Sequence, residues 1–228
     1  MNTHLTRSAL TFALITSLFL GSKALGADIP LSQLVKGTPI KTQVGIVQFG
    51  GSEALRVTEE PDYPPEAEDR LVVIPAQLSN GIIELEMAGQ PAPNAISGAR
   101  GFVGVAFHVQ EQAKRFEAIY LRPTNGRADN QARRNHSTQY ISFPGFPWYK
   151  LRQESPAMYE SYVDLVPGLW TKVKIVIQGQ RAELYVHESE QPTLIINDLK
   201  QNDRDGSVGL WIGPGTVAHF RNVKVSSL

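Results

Sequence analysis

Tyr159–Val186 reads YESYVDLVPGLWTKVKIVIQGQRAELYV, and its pattern decides the fold class. Thr171, Val173, Ile175 and Ile177 share one face of an extended chain, while Trp170, Lys172, Lys174 and Val176 share the other. That is the period of two a pleated strand requires. Gly179 turns the chain, and Ala182, Leu184 and Val186 return on a second strand with Arg181, Glu183 and Tyr185 alternating against them. A slip of one residue would carry the apolar set into water, so the register of this hairpin is well specified. Ile175 with Leu184, and Trp170 with Val176 if that face turns inward, are its expected core contributions. Pro167-Gly168 is a turn signal and predicts a further strand over Tyr159–Leu165, folded back onto the same sheet.

Working outward, short strands follow one another. LVVIPA from Leu71 is an apolar run, and GIIELEMAG from Gly81 alternates Ile83, Leu85 and Met87 against Glu84 and Glu86. GFVGVAFHVQ sets Val103, Val105, Phe107 and Val109 against Phe102, Gly104, Ala106 and His108, and RFEAIYLRP follows after a polar turn. LIINDL, GSVGLWIG and HFRNVKV supply three more strands near the C-terminus, separated by NDRDG and GPG turns. No convincing amphipathic helix follows Ser32–Lys36. Many short strands without alternating helices imply an all-β antiparallel sandwich or barrel, and the sandwich is expected.

Composition agrees with one globular domain: 228 residues, 42% hydrophobic, no cysteine, and 22 basic residues against 22 acidic ones. The balance argues against nucleic acid as partner. The N-terminus carries Arg7, an apolar run over Ala9–Leu20 and a small-residue stretch ending in Ala24-Leu25-Gly26-Ala27. It reads as a cleavable secretion signal over residues 1–26, leaving a single domain over 27–228 that begins at Ala27 or Asp28. Without cysteine there is neither disulfide nor lipid attachment, so a periplasmic or secreted bacterial protein, monomeric and with no membrane contact after cleavage, is expected.

Two polar segments test for metals. Glu53, Glu59, Glu60, Asp62, Glu66, Glu68 and Asp69 crowd a stretch that also holds Pro61, Pro64 and Pro65, which reads as a solvated loop rather than a cation cage. Gln201-x-Asp203-x-Asp205-Gly206 echoes a calcium loop, but Ile212 stands where a bidentate Glu should be. No zinc spacing exists. No cofactor is expected, with a surface calcium the one ion left open.

The acidic strand IIELEM, the glycine-rich GFVGVAFHV, FEAIYLRP, the PGLWTKVKIVIQGQRAELYV hairpin and the closing GSVGLWIGPGTVAHFRNVKV together resemble the concanavalin A-like lectin/glucanase superfamily. Within it they are most similar to bacterial 3-keto-disaccharide hydrolase-like, or glycosidase-like, domains. The resemblance runs from about Gly81 to Val225. It implies a two-sheet antiparallel jelly roll, with an oligosaccharide or polysaccharide recognised on a concave face.

The insertion RPTNGRADNQARRNHSTQYISFPGFPWYKLRQ, starting at Arg122, is too long and too rich in functional groups for a plain turn. It offers Arg122, Asn125, Arg127, Arg133, Arg134, Asn135, Tyr140, Trp148, Tyr149 and Arg152, which with His108 form the candidate substrate-binding set. Flat rings stack on apolar sugar faces, and Arg and Asn supply fixed hydrogen bonds to hydroxyls or carboxylates. The alternative is a satellite core of Phe143, Phe146 and Trp148, with the arginines paired to the acidic loop.

Glu84, Glu86 and His136 are the candidate catalytic residues, with His108 and Glu117 as further acids or bases. Glu84 and Glu86 lie about 7 Å apart along a strand, compatible with an acid/base pair across a glycosidic bond. Laminarinase-type glycosidases carry a third acid at the next alternate position; here it is Ala88. A solvent-facing Glu-x-Glu is the plainer alternative. Two functions remain: a hydrolase or lyase-like enzyme on ordinary or 3-keto oligosaccharides, and a non-catalytic glycan-binding module. Glu84 and Glu86 on a different sheet from the insertion would favour the second.

Overall fold

In the computed structural model of the chain, residues 26–61, 68–201 and 205–228 are described. Residues 1–25 of the proposed signal segment, the middle of the acidic loop and Asp203 of the calcium-like motif lie outside them. Among the described residues no helix is long and apolar enough to cross a membrane.

The Tyr159–Val186 hairpin forms as its alternation requires. β11 (Thr171–Gln178) pairs antiparallel with β12 (Arg181–Val186), and Ile175 stands opposite Leu184. Both are fully buried. Around them the first sheet runs in the order β13 (Leu194–Ile196), β12, β11, β6 (Gly81–Pro91), β15 (Thr216–Ser227), β4 (Ser52–Glu59), β3 (Thr42–Phe49), and β1 (Ala27–Ile29) adds to β15. The second sheet runs β10 (Glu160–Ser161), β9 (Thr138–Phe143), β8 (Arg115–Leu121), β7 (Val103–Gln110), β14 (Gly206–Ile212), β5 (Leu71–Leu78), β2 (Thr38–Ile40). All the pairings are antiparallel, and the architecture is the two-sheet jelly-roll sandwich.

The core lies between the sheets. Leu55, Ile83, Leu85, Ile175, Leu184 and Phe220 from the first meet Val72, Ile74, Val105, Phe107, Ile119 and Leu210 from the second. The outer face of the second sheet carries a cluster of its own, with Phe116, Tyr120 and Trp211 joined by Phe102, Phe143 and Trp148. The outer face of the first sheet is polar.

Three expectations need correction. Only Glu160–Ser161 of the predicted Tyr159–Leu165 strand is extended in a ladder, and it joins β9 of the second sheet. Tyr159 and Leu165 instead sink into the core, and Gly168 N–H donates to Gly89 O at 3.1 Å as the chain crosses to the first sheet. The alternation in β7 breaks at a register shift after Phe107, where His108 adopts φ 51°. This bulge turns His108 inward and sends Val109 to the outer cluster, the reverse of strict alternation. The insertion, finally, is more regular than a loop: α2 (Gln131–Asn135), β9 and α3 (Trp148–Glu154) lie within it, α1 (Leu31–Leu34) being the helix before them.

Candidate functional site

Glu84 and Glu86 point outward from β6 because Ile83, Leu85 and Met87 take the inward positions of the same strand. Register surrounds them with cations. Lys174 and Lys172 of β11 stand opposite Glu84 and Glu86 on one side, and Lys224 and Arg221 of β15 on the other. Between Arg221 and Lys224 the register shifts, with Asn222 at φ 53°. The extra residue aims Asn222 at the carboxylate: its Nδ2 donates to Glu86 Oε1 at 2.8 Å, while Arg221 Nε donates to Oε2 at 2.9 Å. Burial alone would raise the Glu86 carboxyl, but the hydrogen bonds from Arg221 and Asn222 hold it below its usual value.

These groups line a cleft of about 880 Å³, with Tyr185 on one wall and the Asp28–Leu34 segment on another. Flat rings flank it. Lys174 Nζ lies 4.1 Å from the Tyr185 ring centre, and the Arg221 guanidinium 4.2 Å from that of Trp170. Trp170 therefore sits on the outward face, so the condition for a core position is not met, and it meets Phe49 edge-on.

The insertion lies on the second sheet. Arg122 is buried; it donates to Glu160 Oε1 at 3.2 Å, Tyr120 Oη at 3.0 Å and Gln139 Oε1 at 3.1 Å. Arg152 Nε donates to Glu160 at 3.1 Å and its guanidinium sits 4.7 Å over Trp148. His136 Nδ1 is 2.8 Å from Glu160 Oε2, outside hydrogen-bonding geometry. Burial would raise the Glu160 carboxyl, yet Arg152, His136 and Arg122 hold it low. Burial also lowers His136, more than Glu160 raises it. His136, Asn135, Glu160 and Tyr162 share a pocket of about 330 Å³. Arg134 Nη2 donates to Tyr162 Oη at 2.8 Å, and Arg127 forms a two-pronged pair with Asp164 at 2.8 and 2.7 Å. Asn125 donates to His136 O at 3.1 Å and accepts from Arg133 at 3.4 Å. Tyr149 is exposed.

A third group is sealed between the sheets. His108 Nδ1 and Glu117 Oε2 are 2.9 Å apart, and Tyr140 Oη donates to Glu117 Oε1 at 2.6 Å. All three are buried.

The sequence-predicted residues thus fall in three places. Glu84 and Glu86 share the cleft on the first sheet. Arg122, Asn125, Arg127, Arg133, Arg134, Asn135, His136, Trp148, Tyr149 and Arg152 belong to the second sheet, whereas His108 and Tyr140 lie in the interior. The insertion does not cover Glu84 and Glu86. Among the described residues Arg122 and Arg152 pair with Glu160 and Arg127 with Asp164, and Arg122 also pulls on Glu68 of the acidic loop. Sequence reasoning passed over Lys172, Lys174, Tyr185, Arg221 and Asn222 at the cleft, and Glu160 and Asp164 at the insertion. Lys-x-Lys on one strand and Glu-x-Glu on another was a readable signal for the first two; a bulge placing Asn222 leaves none. Among the described residues no group of three or more His, Asp or Glu side chains converges as a metal cage.

No protein-family model matches the chain, and no curated protein matches its sequence. Solved structures do match in fold. The carbohydrate binding module CBM66 from Bacillus subtilis aligns with a TM-score of 0.54 at 13% identity, over 84% of this chain and 97% of that one. A Bacillus subtilis protein of unknown function with a galectin-like fold gives 0.46 at 12% identity over 81% and 87%. Caenorhabditis elegans galectin LEC-6 gives 0.40 at 11% over 72% and 94%. At such identities the likeness is one of fold alone, that of the two-sheet antiparallel jelly-roll sandwich.

Proposed function

We infer that the chain is an extracytoplasmic carbohydrate-binding domain that seats a glycan in the cleft over Glu84, Glu86 and Arg221. The observation carrying this is the carboxylate of Glu86, fixed by Arg221 and Asn222 inside a cleft that also holds the Tyr185 ring, with Trp170 behind the Arg221 guanidinium. Sugar sites combine flat apolar surface with a few fixed polar groups. A carboxylate held ionised accepts from hydroxyls but is ill-suited to protonating a leaving group, which favours binding over hydrolysis. The fold likeness to a carbohydrate binding module supports the same reading.

The enzyme reading, a hydrolase or lyase on oligosaccharides such as 3-keto sugars, rests on His136. Its lowered pKa keeps it neutral near pH 7, and it lies in a pocket with Asn135. There it would take the acidified C2 proton beside the ketone. Titration calorimetry against neutral, acidic and 3-keto oligosaccharides, with product analysis, separates the two. The binding module predicts affinity lost in Arg221→Ala and untouched in His136→Ala, with no turnover. Turnover abolished by His136→Ala would overturn it in favour of the enzyme.

Export is part of the proposal: a signal over residues 1–26 and a mature monomeric domain from Ala27, where β1 begins. N-terminal sequencing of protein released by osmotic shock should start at Ala27 or Asp28, and full-length chain in the membrane fraction would refute it.

A further inference from the structure

Trp170 Nε1 and His219 Nδ1, whose rings both meet Phe49, are both buried and, among the described residues, neither has a hydrogen-bond partner. His219 is only 5% exposed overall. The tip of the β3–β4 hairpin covers both. Phe49 stacks flat on His219 with ring centres 3.7 Å apart and meets Trp170 edge-on at 5.2 Å. Gly50 sits so close to the indole that a Cβ there would stand 2.5 Å from Nε1. With φ of 55° and 83°, Gly50 and Gly51 take left-handed conformations that suit glycine. The place is continuous with the cleft, because the guanidinium that holds Glu86 is the one lying over Trp170.

A buried polar group without a partner costs roughly 1–3 kcal/mol, and folded proteins keep few of them. Two such groups under one two-glycine turn, next to a cleft of ligand size, have a chemical meaning if something else bonds them. We propose that Trp170 and His219 form a subsite for a second sugar residue, adjoining the one over Glu86 and Arg221, and that it opens when the β3–β4 tip lifts. The indole N–H donates to one hydroxyl. The free imidazole nitrogen, as donor or acceptor by tautomer, takes a neighbouring one. The ligand class is a neutral oligosaccharide of at least two residues. This rests on the reading of the cleft as a glycan site.

The test measures cellotriose, maltotriose, xylotriose and laminaritriose against the wild-type chain, Glu86→Gln and Trp170→Phe. Trp170→Phe keeps a ring and removes the donor. For any trisaccharide that binds, its Kd should rise about tenfold, the loss of one hydrogen bond. Its Tm should hold or rise, because the donor it removes has no partner in the free protein. Phe49→Ala, which loosens the cover, should raise the association rate constant, since less of the population is closed. Binding that depends on Glu86 but is unchanged in Trp170→Phe overturns the subsite and leaves the cleft reading standing. A fall in the Tm of Trp170→Phe by several degrees with unchanged affinity also overturns it, by showing the indole to be structural. If none of the four sugars binds, both readings fall.

Discussion

Arg221 on β15 reaches Glu86 on β6 with its Nε 2.9 Å from Oε2, across a pair of strands whose register a bulge has shifted. Both side chains are partly exposed, 23% and 15% respectively. The pair therefore fixes a surface group rather than holding the fold together, since ion pairs with access to water are worth about 0–1 kcal/mol. Glu86→Gln keeps an oxygen for Asn222 and should change Tm by only a degree or two. Glycan affinity should nevertheless fall about tenfold, because a charged acceptor has become a neutral one. A calorimetric titration in which Glu86→Gln binds as tightly as wild type would remove the cleft from consideration.

The interior pair behaves in the opposite way. His108 and Glu117 have no exposed side-chain surface, and Tyr140 and Ser79 O complete their hydrogen bonds. Removing one member strands the other without water. His108→Ala and Glu117→Ala should each destabilise the chain by about 3–5 kcal/mol, with glycan affinity of the remaining folded protein unchanged. Denaturant titration gives the first quantity. A cost under about 1 kcal/mol would mean that water reaches the pair.

Ile175 and Leu184 face each other at the centre of the hairpin with no exposed surface. Ile175→Ala should cost about 2–5 kcal/mol, the range for large-to-small changes in a packed core. Trp148 is a partly buried packing residue, set against the outer cluster and under Arg152. Trp148→Ala should therefore lower Tm and leave glycan affinity alone. Selective loss of binding with an unchanged melting curve would return the insertion to the sugar site.

Strict alternation made the hairpin legible in the sequence, because burying Ile175 and Ile177 requires Lys172 and Lys174 to face water. The same logic sent Glu84 and Glu86 outward. Which sheet the insertion joins was not legible, since β9 and β10 pair through backbone groups that carry no side-chain code. The bulges at His108 and Asn222 were hidden for a related reason: an extra residue in one strand reverses every face after it, and neither position holds a glycine to announce the turn. The arginines of the insertion had only the acidic loop as a readable partner, and the sequence does not single out Glu160 and Asp164. Glu160 lies 38 residues beyond Arg122 and Asp164 37 beyond Arg127, so these pairs meet only in the folded state.

A buried and a partly buried group give opposing pH dependences. Burial, with Arg56 nearby, lowers His219 from 6.5 to about 4. Between those values the unfolded chain binds the proton more tightly, so this contribution to stability is complete above pH 6.5 and is lost as pH falls through 4. Burial raises Glu68 from 4.5 to about 7, against the pull of Arg122. Here the folded chain binds the proton more tightly, so the contribution is complete below pH 4.5 and is lost as pH rises through 7. Each amounts to about 3 kcal/mol at 1.36 kcal/mol per unit, and between pH 4.5 and 6.5 they oppose one another. Wild type should accordingly show a shallow profile in that window. Glu68→Gln should unmask a rise in stability with pH, steepened by the lowered His136. His219→Phe should unmask a fall. Guanidinium unfolding at pH 4.5, 5.5, 6.5 and 7.5 reads all three, and parallel profiles for wild type and both variants would show that neither group titrates differently on folding.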